Sequence, residues 1–404
     1  MIIIGSTEYL NRFCTQGQSN DLRELDKECL YSVDFTVELG VNCHSLDGNE
    51  NLSYEALLEL LQQFPNITHL ILPKNLLFDD ACVTLLPQTL EHLDLSFNTL
   101  VTDSAIGLLP HGLKSLSLAW NERLSDACVA HLPFHLEYLN LYHNNLMTDA
   151  TIAHLPPRLR ALHLAANLNI TNDSISHLPA TLQLLNLSRN ERLTDASISK
   201  LPRSLRVLNL FFNKMLTDAC VLDLPPMLEI LILYCNKNFS NTAIAQLPRQ
   251  LRHLHLPDCE KLTDACVAQL PPQLETLNLS LNQHLTDNCV ANLPRSLKAL
   301  YLCSNKNFSN DCVPNLPPLL ESLNFAQNEK FTDACVRHLP RNLKLLCLNH
   351  NKNLTDACVS DLPRSLLTLN VHRFSSLTEC RLDQLPTGLA SSWNYAAPRN
   401  LSKV

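Results

Sequence analysis

Trp120, Tyr142, Phe211 and Phe212 stand at positions where a repeating core has no use for a large ring. With Phe97, His143, Arg189 and Tyr234 they form a series of rings flanked by basic groups. Protein-binding hot spots favour Trp, Tyr and Arg, because such side chains bury much area while keeping a polar handle. Further along, Asp258, Tyr301 and His350 join the series, and these residues are the expected partner-binding set.

Other chemistries have weaker patterns. His131, His154 and His177 share one outer position in consecutive repeats, and His253, His255, Cys235 and Asp258 are expected to converge on the inner face. Neither group has a compact ligand motif such as C-x-x-C or H-E-x-x-H, so no metal and no cofactor is expected. Cys303, Cys347 and His350 supply a thiol and a base, but no orienting third group is evident, so no enzyme is expected. Asn140, Asn186, Asn209, Asn278, Asn324 and Asn370 recur at one slot, which predicts an amide ladder along stacked units. An alternative use of this asparagine and histidine row is to hold a small molecule or glycan.

The elements that position these side chains follow from one period. A unit such as Leu205–Pro225 recurs every 23 residues, in fourteen copies whose first apolar residues run from Ile67 to Leu366 without insertion. A period of this size specifies stacked supersecondary units with one continuous core. The chain of 404 residues is therefore read as an N-terminal cap with a degenerate repeat (1–66), a repeat array (67–386), and a C-terminal cap and tail (387–404). In the first segment, Val33–Asn42 alternates as a strand does, and Ser53 precedes an amphipathic helix over Tyr54–Gln63. In the last, Trp393 and Tyr395 are expected to fold over the open end.

Each unit opens with L-x-x-L-x-L-x-x-N. Leucines at strand spacing point inward, and the asparagine turns the chain and bonds neighbouring backbone. A large apolar residue follows, then Thr, Ser or Asp as a helix cap, as at Thr217. A short helix of roughly two turns is predicted over Asp218–Leu224. Leu-Pro closes the unit, since proline lacks an N–H and forces the residue before it to be extended. This pattern strongly resembles the leucine-rich-repeat family. The resemblance implies an α/β solenoid with a curved parallel sheet on its concave side and short helices on its convex side. The Leu-Pro-x-x-Leu junction further resembles leucine-rich-repeat effectors of intracellular bacterial pathogens. That implies a protein delivered into host cytosol without a cleavable leader.

The net charge of −8 argues against a nucleic-acid scaffold. Ten of the acids occupy one repeat position, from Asp80 to Asp356, where a helix N-terminus favours them. Eight of sixteen cysteines share another, small and half-apolar, position, which fits reduced thiols and a cytosolic setting rather than disulfides. No apolar run is long enough to span a membrane. The residue after the first leucine alternates in sign, as in Glu91, Lys114, Glu137 and Arg160, which predicts a ladder of ion pairs between adjacent strands. The expected function is a non-catalytic, monomeric scaffold that binds a protein partner through its concave face.

Overall fold

The computed structural model describes residues 43–45, 52–371 and 389. The strand expected over Val33–Asn42, the slots at His372 to Phe374, the junction Leu385-Pro386 and the cap residues Trp393 and Tyr395 lie outside the described residues. The chain divides into two compact units, with the boundary between Asn238 and Phe239.

In both units the building block is a three-residue strand followed by a short helix. Among the described residues the first unit has strand Cys43–Ser45 and then strands from His69–Ile71 to Ile230–Ile232. The second has strands from His253–His255 to Thr368–Asn370. Within each unit neighbouring strands pair in parallel, in sequence order. The register advances by one period, as in His69↔His92 and Thr276↔Ala299. Strand Cys43–Ser45 breaks the rule, since Cys43 pairs with His69. Its connection carries the Ser53-capped helix Tyr54–Gln63, ten residues long, and the extra length fits that helix. Leu57 and Leu61 are its buried residues.

The repeated leucines form the core. Leu205, Leu208, Leu210 and Leu216 are each 0% exposed, and the same holds in copy after copy. Burying one such side chain stabilises by about 1.5–3 kcal/mol relative to leaving it in water. The repeated cysteines are free and buried with the valine beside each of them. Burial pushes the Cys128 and Cys266 thiols up to about 12, which suppresses the reactive thiolate.

Many helices are shorter than the two turns expected, a single turn of four or five residues as in Asp126–Val129. Asp218–Asp223 has nearly the expected length, six residues, but is wound as a 3-10 helix. Proline explains this. Leu224, which precedes Pro225, is held at φ −56, ψ 142, so the turn has no room to continue. The proline carbonyl then accepts the N–H of the next unit's first leucine, as from Leu205 to Pro202 (3.3 Å).

Two polar ladders fix the register. In the first, the side chain of a motif asparagine bonds to backbone of the preceding copy. Asn144 Oδ1 accepts from the Asn121 N–H (2.8 Å), and Asn144 Nδ2 donates to the Leu118 carbonyl (2.9 Å). In the second, each helix-start aspartate reaches the cap residue of the following unit. Asp149 accepts from the Thr171 N–H (2.7 Å) and the Thr171 hydroxyl (2.6 Å), and Asp103, Asp126 and Asp264 do likewise with their own neighbours. The helix dipole accounts for only part of this acid's placement. Where asparagine stands instead, at Asn172, Asn241 and Asn310, the clasp survives with one bond reversed: the amide donates to the hydroxyl of Thr194, Thr263 or Thr332. Partial burial works against the charge on Asp80, Asp126 and Asp149. Their threonine bonds outweigh it and hold the carboxyls below the ordinary value.

The alternating charges pair as expected. Lys114 meets Glu91 at 2.8 Å, Arg160 meets Glu137 at 3.5 Å, and Lys344 meets Glu321 at 2.7 Å. Arg206 pairs with Glu229, and Glu275 is held between Arg252 and Lys298.

Candidate functional site

The last two variable positions of L-x-x-L-x-L-x-x-N differ sharply in what they present. The first is largely buried: Tyr142 and Phe211 are each 7% exposed, and Ala165 and Ser188 are 0%. The second is left-handed in thirteen copies, from Lys74 (φ 59) to His350 (φ 61), and none of these residues is glycine. A non-glycine residue in that region costs about 1–2 kcal/mol. The cost is met by fixed hydrogen bonds. The left-handed residue's N–H donates across to the next copy, as from Trp120 to the Tyr142 carbonyl (2.8 Å) and from Phe212 to the Tyr234 carbonyl (2.9 Å).

The central asparagines help to set the same turn. Asn140 Oδ1 accepts from the Tyr142 N–H (3.0 Å), Asn186 from Ser188 (3.0 Å), Asn209 from Phe211 (2.9 Å) and Asn278 from Ser280 (3.0 Å). The amide ladder expected at this slot is therefore replaced by local turns. Asn140 also reaches a neighbouring copy, donating to the Ser117 hydroxyl at 3.1 Å.

The left-handed row stacks rings in the first unit. Phe97 lies parallel to Trp120, centroids 5.4 Å apart at 9°. Trp120 stacks on His143 at 3.7 Å, and Tyr142 meets Trp120 edge-on at 5.7 Å. Lys74 Nζ sits 5.5 Å from the Phe97 ring. A second group follows after the Ala165-Ala166 copy. Arg189 lies over both Phe211 and Phe212 at 5.5 Å, Phe211 packs on Tyr234 at 4.9 Å, and Lys214 caps Phe212 at 4.2 Å. Cations over ring faces are attracted by the ring quadrupole, and they hold the rings in one orientation. Burial lowers the His143 pKa, as does Arg189, while Glu122 opposes them, so the ring is a neutral stacking surface at pH 7.

The expected site residues therefore separate. Phe97, Trp120, His143, Arg189 and Phe212 are half-buried and form the row's presented edge, and Tyr234 borders it. Tyr142 and Phe211 are buried beneath it as braces. Tyr301, 2% exposed, is buried with Ala299, Ala326 and Cys347 in the second unit, so it is packing there and not a presented ring. Asp258 and His350 hold left-handed positions of the second unit. Lys74, at a variable slot of the motif, and Lys214 join the row from outside the expected set. Lys214 follows the motif asparagine directly.

Chemistry is poorly served. Burial raises the Cys303 thiol to about 11 and lowers His163 and His255 to about 4. Among the described residues, no three His, Cys, Asp or Glu side chains are grouped to hold a metal ion, and no helix is long and apolar enough to cross a membrane.

Residues 87–108 match the family described as Leucine Rich repeat. The fold is that of the leucine-rich-repeat proteins. Similar solved structures include a chain of the Rad7 and Elc1 complex in yeast, with TM-score 0.54 and 20% identity over 81% of this chain and 85% of that one. An internalin (inlF) from Listeria monocytogenes has TM-score 0.43 and 19% identity, over 85% of this chain and 94% of that one. A chain of the TLR13–ssRNA13 complex has TM-score 0.48 and 23% identity over 78% of this chain, which spans 44% of that chain's length. At 20% identity the likeness to the Rad7–Elc1 chain is one of fold alone. No curated protein matches the sequence.

Proposed function

We propose that this leucine-rich-repeat protein is a non-catalytic scaffold that binds a partner protein through the left-handed row of its first unit. The observation that carries this reading is the Phe97–Trp120–His143 stack, with Lys74 over its first ring. Rings already held in place lose little conformational freedom on binding, so more of their contact energy appears as affinity. The glycan or small-molecule alternative has less support, because the central asparagine oxygens are used in turns.

Capture of a partner by the intact chain, followed by titration against Trp120→Ala with Phe212→Ala, tests the reading. A loss of about tenfold or more in affinity, with an unchanged thermal melt, is expected. Undiminished binding by the double variant overturns it.

The Leu-Pro-x-x-Leu junction, as in Leu201-Pro202-x-x-Leu205, supports a finer reading as a secreted bacterial effector that acts in host cytosol. A reporter-tagged chain is then expected to enter co-cultured host cells. Retention in the producing cell would remove the effector reading and leave the scaffold reading standing.

A further inference from the structure

The two residues after the motif asparagine treat the two units differently. In the first unit they include Leu76, Leu77, Leu146, Leu168 and Met215, each between 47% and 57% exposed. In the second unit the same positions hold polar or charged side chains, among them Glu260, Lys261, Gln283, Lys306, Glu329 and Lys352, all exposed. The core does not require this difference, since the next position inward is apolar and buried in both units, as at Leu216 and Phe308.

The first of these two places borders the ring row. Lys214, one place after its asparagine, reaches the Phe212 ring at 4.2 Å, and Asn145, at the same place, meets His143 Nε2 at 3.4 Å. Leu76 and Leu168 hold that place in their own copies. The row and these apolar residues thus line the loop edge of the first unit as a strip, interrupted in two copies by the exposed pairs Glu122-Arg123 and Glu191-Arg192. From Leu76 to Met215 it crosses six strand spacings, or about 30 Å at ~4.8 Å each. Exposed apolar surface of this extent on a soluble protein marks a contact site.

The backbone narrows what the contact is. Along the strip the left-handed residues spend their N–H groups on the next copy, from Lys74 to Ser96 (2.8 Å) through Ala166 to Ser188 (2.9 Å) and Phe212 to Tyr234 (2.9 Å). An extended peptide would find no free row of donors with which to add a strand. A helix satisfies its own backbone and needs only side-chain contact. Its pitch of about 5.4 Å nearly matches the rung spacing, so apolar residues one turn apart meet successive copies. About 20 helical residues would cover the strip. Lys74, Arg189 and Lys214 lie over the rings, and Glu191, 3.6 Å from Lys214, tempers its charge.

We infer that this strip receives an amphipathic helix of a partner protein, apolar on one face and acidic at its flanks. The inference rests on the scaffold reading above and adds the shape of the partner. The test is selection of displayed random peptides of about 20 residues on the full-length chain. Recovered binders are expected to carry apolar residues at i, i+3, i+4 and i+7 with Asp or Glu beside them, and to gain helical circular dichroism on binding. Trp120→Ser with Met215→Ser should weaken them about tenfold or more, whereas Lys306→Ala with Glu329→Ala, on the polar edge, should not. Binders that tolerate a central proline, or that respond only to the polar-edge variant, overturn the helix-strip inference while the scaffold reading survives. Failure to recover any binder counts against both. Phosphatidylserine-containing vesicles form the remaining arm. If they bind the chain and the Trp120→Ser, Met215→Ser variant does not, the strip is a membrane contact and the inference is wrong.

Discussion

Trp120 and Leu208 are both large apolar residues of the same motif, and replacing them should have opposite consequences. Leu208 is 0% exposed in a close-packed core. Leu208→Ala should cost about 2–5 kcal/mol in a urea titration, because it removes transfer energy and leaves a cavity. Trp120 is half-buried, so Trp120→Ala should cost only about 1–2 kcal/mol and show itself in binding. Asn144→Ala strips partners from the Asn121 N–H and the Leu118 carbonyl, and should cost about 2–4 kcal/mol. The aspartate clasp predicts a graded pair. Asp149→Asn should be nearly neutral, since Asn172, Asn241 and Asn310 keep the same contact, whereas Asp149→Ala should cost about 1–3 kcal/mol.

The same aspartates give the element its pH dependence. Asp80, Asp126 and Asp149 have folded-state pKa values below the ordinary value of 3.8. Their contribution is complete above that value and is lost as pH falls through the lower, folded-state pKa. Stability measured by denaturant titration should therefore fall below about pH 4, and the slope should flatten in an Asp80→Asn, Asp126→Asn, Asp149→Asn variant. At neutral pH the charge ladder matters more. Glu275→Lys places like charge between Arg252 and Lys298, and should destabilise by about 1 kcal/mol at low salt and less at high salt. Much of the element was legible because each framework residue has one physical reason to be there. Leucine fills the core, asparagine satisfies turn backbone, and proline ends the helix. The left-handed row was not legible. Positive φ ordinarily announces itself through glycine, yet here Lys, Phe, Trp, His, Arg and Asp adopt it because flanking hydrogen bonds impose it. Strand Cys43–Ser45 was not legible either: His44 stands opposite Leu70, where the later copies have leucine, and the spacing to the next copy is longer than the period.

At the scale of the whole chain, a uniform framework carries two differently dressed units. The period fixed where side chains point, so Phe97, Trp120, Arg189 and Phe212 could be chosen from it. It did not separate the buried slot of Tyr142 and Phe211 from the presented one, because both are simply positions between leucine and asparagine. Nor did it mark the apolar strip, which combines Leu76, Leu168 and Met215, just after the motif asparagine, with rings from the positions just before it. Hydroxyl-radical footprinting of the intact chain, alone and with its captured partner, reads this surface directly, since Trp, Met and Phe side chains are oxidised according to their exposure. The account predicts that the partner protects Trp120, Phe212 and Met215 and leaves Leu319 and Leu367, exposed apolar residues of the second unit, unchanged. Protection confined to the second unit, with Trp120 and Met215 oxidised as in the free protein, would contradict it.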